Sequence, residues 1–104
     1  MPKYLFVYHG GDHPDTDEEA AKVYDDWGKW MAGMGAAVID GGNPVGLSKT
    51  VNPDGSVVDN GGSNPASGYG IFDAKDDDDA IAKAKGCPIL EANGSVELAP
   101  IIDM

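Results

Sequence analysis

The residues with the most chemical potential lie close to the start of the chain. His9 and His13 are its only histidines, and Asp12 and Asp15 stand beside them. A neutral imidazole is a general base near neutral pH, and a carboxylate bonded to its second nitrogen fixes the tautomer. His9 oriented by Asp12 is therefore the candidate catalytic pair. The same four residues offer imidazole and carboxylate ligands of the kind that zinc and its neighbours take. Their spacing matches no closed metal motif, so no metal is assigned. Asp76 to Asp79 are four consecutive acids. On a helix they point in several directions, so they suit capping and dipole compensation rather than one ion. Asp54-Gly55 and Asp59-Asn60-Gly61 lack the spacing and terminal Glu of a calcium loop. Cys87 stands where a helix ends, which is the wrong sign of field for a reactive thiolate. It reads as a packed core residue. No cofactor is expected.

A second set of residues suggests a ligand. Tyr24, Trp27 and Trp30 share one helix, with Trp27 on its apolar stripe and Trp30 beside it. The plain reading of Trp27 is packing on a sheet. A Trp30 at the border of a cleft could stack on a flat organic molecule, and Tyr24 could donate a hydrogen bond to it. With His9, and with Asp40 and Asp73 at strand ends, these residues would line a pocket between the first helix and the sheet.

Those side chains need elements to position them. Tyr4 to Tyr8 is rich in β-formers and reads as a first strand. Thr16 followed by Glu19 has capping-box spacing, and Ala20, Tyr24, Trp27, Met31 and Met34 recur at helical steps. This predicts a helix from Thr16 to about Met34, closed by Gly35. Ala36 to Ile39 reads as a second strand. Asn52-Pro53-Asp54-Gly55 between two valine-bearing runs marks a hairpin. Asp59 to Ser67 is a loop, and Tyr69 to Asp73 a strand. Asp76 caps a second helix that ends at Gly86-Cys87-Pro88. Asn93-Gly94 turns the chain into a last strand, Val96 to Ile102.

The order of these elements is βαββαβ with a hairpin inserted in its middle, hence an α+β, ferredoxin-like sandwich filling one domain over residues 1–104. Tyr4–Tyr8, Ala36–Ile39 and Pro100–Ile102 do not alternate apolar with polar residues, and such strands want both faces covered. The helices cover one face. A second copy of the chain is the simplest cover for the other, giving a homodimer that meets sheet to sheet. The alternative is that the inserted hairpin folds across that face.

Composition narrows the partners. The chain has 104 residues, 41% of them apolar, with 7 basic against 18 acidic side chains and a net charge of −11. That balance repels nucleic acid and anionic membranes. There is no Arg, so the bidentate clamp for carboxylate or phosphate is missing. Any anion would rely on Lys3, Lys22, Lys29, Lys49 or backbone N–H groups. A single cysteine allows no internal disulfide, which fits a reducing compartment. The apolar start is too short for a signal peptide or membrane span. The expectation is a cytoplasmic protein, complete at its first residue.

Several segments together resemble the YCII-related family, in its DGPF-type branch. They are Lys3-Tyr4-Leu5-Phe6-Val7-Tyr8, Gly41-Gly42-Asn43-Pro44, Val51-x-x-Asp54-Gly55, Gly68-Tyr69-Gly70-Ile71-Phe72, Asp79-Ala80-x-x-x-Ala84-x-x-Cys87-Pro88 and Val96-Glu97-Leu98-x-Pro100-Ile101. The resemblance spans nearly the whole chain and implies a ferredoxin-like monomer that dimerises as in dimeric α/β-barrel proteins. Some family members carry a His on the first helix paired with an Asp as an acid–base dyad. Here Tyr24, Asp25, Asp26 and Trp27 occupy that region, and after Val58 the branch signature is replaced by Asp59-Asn60-Gly61-Gly62. No catalytic residue is carried over.

Two readings of function remain open at this level. One is a small-molecule binding protein with acid–base activity of isomerase or lyase type. The other is a non-enzymatic homodimeric module whose acidic surface meets a protein partner. The residues alone leave open whether the chain is an enzyme.

Overall fold

Tyr4, Phe6 and Tyr8 alternate along one strand and all three are buried, which makes that strand the spine of the core. The computed structural model describes residues 1–104. Strand β1 spans Lys3–His9 and is followed by helix α1, Asp17–Met34. The Thr16 hydroxyl accepts the Glu19 amide at 3.1 Å, and the Glu19 carboxylate accepts the Asp15 amide at 2.9 Å. This reciprocal cap satisfies donors that a helix start leaves free. Gly35, at φ 54°, ends α1 by donating to the Ala32 and Met31 carbonyls.

The second strand is shorter and later than its sequence suggests. Gly35–Ala37 forms a turn of 3-10 helix, and β2 is Val38–Asp40. Two alanines after a helix C-cap continue the turn more readily than they start a strand. The hairpin forms as expected, with β3 at Thr50–Val51 and β4 at Val57–Val58. Strand β5 is Ala66–Asp73 and helix α2 is Asp77–Ala84, capped by Asp76. A 3-10 segment that the sequence did not signal, Pro88–Ala92, follows and buries Ile89. Asn93, at φ 64°, then reverses the chain into β6, Ser95–Pro100.

The main sheet has four antiparallel strands in the order β2-β5-β1-β6. Both helices pack on one face. Phe6 and Phe72 are fully buried there with ring centroids 4.6 Å apart. Trp27 and Trp30 close over Tyr8 edge-on, at 4.9 and 6.4 Å. Gly68 and Gly70 sit opposite Tyr8 and Phe6 on β5. A Cβ at Gly70 would come within 2.7 Å of the Phe72 ring, so these glycines make room for the aromatic layer.

The other face of the sheet is bare. Alternation along the strands puts Leu5, Val7, Tyr69 and Ile71 on it, half-buried, with Ile39 and Ala99 exposed. The hairpin does not fold across this face. The molecule measures 44 × 42 × 18 Å. A thickness of that order holds one sheet and one helix layer, with no third layer. No helix is long and apolar enough to cross a membrane.

Candidate functional site

The bare face carries one built polar feature. His9 ends β1, next to an irregularity in the β1–β5 register, and is 9% exposed. Its Nε2 lies 2.9 Å from Glu97 Oε1 and its Nδ1 lies 3.3 Å from the Pro65 carbonyl. Glu97 stands on the bare side because Val96 and Leu98, its neighbours on β6, pack into the core. Both groups facing the ring are acceptors. An imidazolium donates to both, whereas a neutral ring can donate to only one. The Glu97 side chain is 71% exposed. A neutral ring that donates from Nδ1 to the Pro65 carbonyl leaves Nε2 basic, whereas one that donates from Nε2 to Glu97 does not.

Charged groups on this face are few. Lys3 and Asp73 stand opposite each other in the β1–β5 register, and His9 faces Glu97. The helical side is different, with Asp17, Glu18 and Glu19 in the first turn of α1 and Asp77, Asp78 and Asp79 in that of α2.

The structure does not gather the expected pocket. Asp12 does not orient His9. Its carboxylate accepts the Asn93 amide at 2.6 Å, fixing the loop to the turn before β6. Tyr24 is 79% exposed and lies off the inward stripe of α1. Trp27 and Trp30 fill the helix–sheet interface instead of lining a cleft there. Trp30 also donates its indole N–H to the Lys83 carbonyl at 2.9 Å, which satisfies a carbonyl at the end of α2. Asp40 accepts the Gly42 amide at 2.8 Å and shapes a turn. Asp73 lies on the bare face, at the end of the sheet opposite His9. The physical reason is volume. Aromatic rings at Phe6, Tyr8, Trp27, Trp30 and Phe72 occupy the space between the layers. An open, polar surface depression lies between Lys22, Asp26, Lys29, Trp30, Gly86, Pro88 and Glu91.

Three core groups are among those with displaced ionisation. The Tyr4 hydroxyl donates to Asp77 at 2.6 Å, and this bond with burial pushes the phenol up to about 12. Burial pushes Tyr8 well above the ordinary phenol range, and its hydroxyl, itself buried, bonds to no protein atom. Burial pushes the Cys87 thiol up to about 11, so it stays protonated and unreactive at neutral pH. The structure forms no cluster of three or more His, Cys, Asp or Glu that could hold a metal ion.

The sequence singled out His9 as a candidate but not Glu97, the residue the structure sets beside it. The signal available was its place two residues into the last strand, facing away from Val96 and Leu98. Without the β1–β6 register nothing tied it to His9. Comparison with family models, curated proteins and solved structures finds no match to this chain.

Proposed function

We propose that this chain acts as a homodimer joined through the bare face of its sheet, and that the His9–Glu97 pair on that face binds a small organic ligand between the copies. The observation that carries this reading is a sheet face that is apolar, sparsely charged and furnished with one His–Glu pair. A bare sheet face bearing Leu5, Val7, Tyr69 and Ile71 gains from being covered. The acidic helical side of a chain with charge −11 is a poor surface for self-association, and the sparsely charged bare face meets less of that repulsion. The strand order β2-β5-β1-β6 supports a ferredoxin-like description and the YCII-type resemblance.

A ligand suited to this place has a flat apolar body and one carbonyl or carboxylate oxygen. The body lies on Leu5 and Val7. The oxygen takes the place of the Glu97 carboxylate and accepts from the Nε2–H of His9. For an acid–base step the ring carries its proton on Nδ1 instead: the acidic C–H of a carbonyl compound then faces the free Nε2, which takes that proton and returns it to a neighbouring carbon of the same molecule (isomerase type) or to a departing group (lyase type). A cytoplasmic location suits the unpaired, buried thiol of Cys87.

Sedimentation over a concentration series tests the dimer, whose mass is twice 10.8 kDa. Titration with benzoate and with acetophenone, followed by the 15N shifts of His9, tests the site. A dimer whose His9 shifts with either probe supports the reading. A chain that stays single at high concentration overturns it. One observation favours the non-enzymatic alternative: both nitrogens of His9 already face acceptors within the chain. A dimer in which neither probe moves His9 selects that alternative.

A further inference from the structure

We infer that Asn60 is a site of spontaneous modification, which loses its side-chain nitrogen through a succinimide, while the fold protects Asn93. These two asparagines are the ones that precede a glycine. The Gly61 nitrogen gives up its proton to solvent and attacks Cγ of Asn60, closing a cyclic imide. The carboxamide C–N bond breaks, and its nitrogen takes a proton back from water and leaves as ammonia. Water then adds to either carbonyl of the imide and breaks that carbonyl's bond to nitrogen, giving aspartate or isoaspartate. No oxidant, metal or enzyme is needed. Glycine favours the attack because it has no Cβ to crowd the approach.

Both asparagines are exposed, so exposure does not separate them. The hydrogen bonds on the reacting atoms do. The Gly61 N–H donates to no protein acceptor. The Asn60 carboxamide oxygen accepts the Gly62 amide at 2.9 Å, which turns the side chain back over the peptide that attacks it. Charge develops on that same oxygen during the attack, and the Gly62 N–H is already in place to stabilise it. At the other site the Gly94 N–H donates to the Ile89 carbonyl at 2.9 Å, and the Asn93 carboxamide donates to Asp12 at 2.6 Å. Both bonds must break before Asn93 reacts, which slows it by roughly tenfold or more. Modification of Asn60 acts on the base of the hairpin. The Asn60 carbonyl accepts the Thr50 hydroxyl at 2.6 Å, and Asp59 pairs with Lys49. Gly61 is pressed against Ser48 and Pro65, where an added Cβ would lie 2.7 and 2.8 Å away. Isoaspartate lengthens the main chain by a methylene at this crowded point, so the Thr50 bond is lost and the β3–β4 hairpin shifts.

The test incubates the folded chain in mildly alkaline 18O-water and follows both asparagine peptides by mass spectrometry, with a urea-unfolded sample alongside. In the folded protein Asn60 should take up the label roughly tenfold faster than Asn93, or more. In urea the two rates should converge, because both asparagines precede glycine. Asn60→Gln should leave its peptide unlabelled. The isoaspartate product, separated by ion exchange, should show moved amide resonances at Thr50 and Val58. A folded chain in which Asn60 stays intact as long as Asn93 overturns the assignment. So does a rate ratio as large in urea as in the folded state, since the fold then protects nothing. An isoaspartate product with unmoved Thr50 and Val58 resonances overturns the effect on the hairpin and leaves the modification site standing.

Discussion

The Nε2 of His9 stands 2.9 Å from Glu97 Oε1 across the β1–β6 register, on the side of the sheet away from the helices. Glu97 is largely in water, so the pair adds little to stability. Exposed ion pairs contribute about 0–1 kcal/mol. Glu97→Gln should therefore change the urea-derived stability by less than ~1 kcal/mol. His9→Gln should abolish the benzoate-induced shifts of neighbouring amides on β6. A Glu97→Gln variant that unfolds at low urea would show that the pair holds the fold together rather than presenting a site.

The Tyr8 hydroxyl is buried beneath Trp27 and Trp30 and bonds to no protein acceptor. An unsatisfied buried donor costs about 1–3 kcal/mol. Tyr8→Phe keeps the ring and removes the orphan group. Its expected effect is a gain of about 1 kcal/mol in unfolding free energy. Chemical denaturation of the two proteins side by side measures it, and a clear loss would mean that the hydroxyl is bonded in solution.

Two glycines separate backbone strain from backbone entropy. Gly42 holds φ at +71°, and a Cβ there would lie 1.7 Å from the Tyr69 carbonyl oxygen. Gly42→Ala should displace the β2–β5 edge and cost several kcal/mol, beyond the usual ~1 kcal/mol of an average substitution. Gly28 lies inside α1 with nothing within 4 Å of its Cβ position. Gly28→Ala should stabilise by about 0.5–1 kcal/mol, because alanine costs less to order in a helix. Thermal melts of both variants against the wild type give the comparison.

Alkaline conditions should destabilise the fold in a defined window. The Cys87 thiol moves from an ordinary value of 9.0 to about 11, through burial. The Tyr4 phenol moves from 10.0 to about 12, through its bond to Asp77 and then burial. Each folded value lies above the unfolded one, so the folded state holds its proton where the unfolded chain has released it. The stabilisation is complete below about pH 9 and declines as pH rises toward about 12. Tyr8 adds to the same trend. Urea midpoints measured from neutral to strongly alkaline pH should fall across that window. Tyr4→Phe should flatten the upper part of the decline.

Local chemistry settled the elements of this chain, and three-dimensional packing settled its surfaces. Thr16 with Glu19, Asp76, Gly35 and Asn93 mark element ends through bonds or dihedrals that involve only a few neighbouring residues. Their effect is therefore readable from spacing. The antiparallel α+β class follows from the order of those elements. The phase of α1 was less legible. Tyr24 and Trp30 lie about 60° to either side of Trp27 at 100° per residue, so both fit a broad apolar stripe. Trp30 turns inward because its N–H finds the Lys83 carbonyl on α2, and Tyr24 is left in water. The partner of His9 depended on strand register. Asp12 is three residues away in sequence and Glu97 is 88, yet the β1–β6 ladder brings Glu97 to the ring. A single sequence carries no term for such distant pairings, because their energy exists only once the sheet has formed.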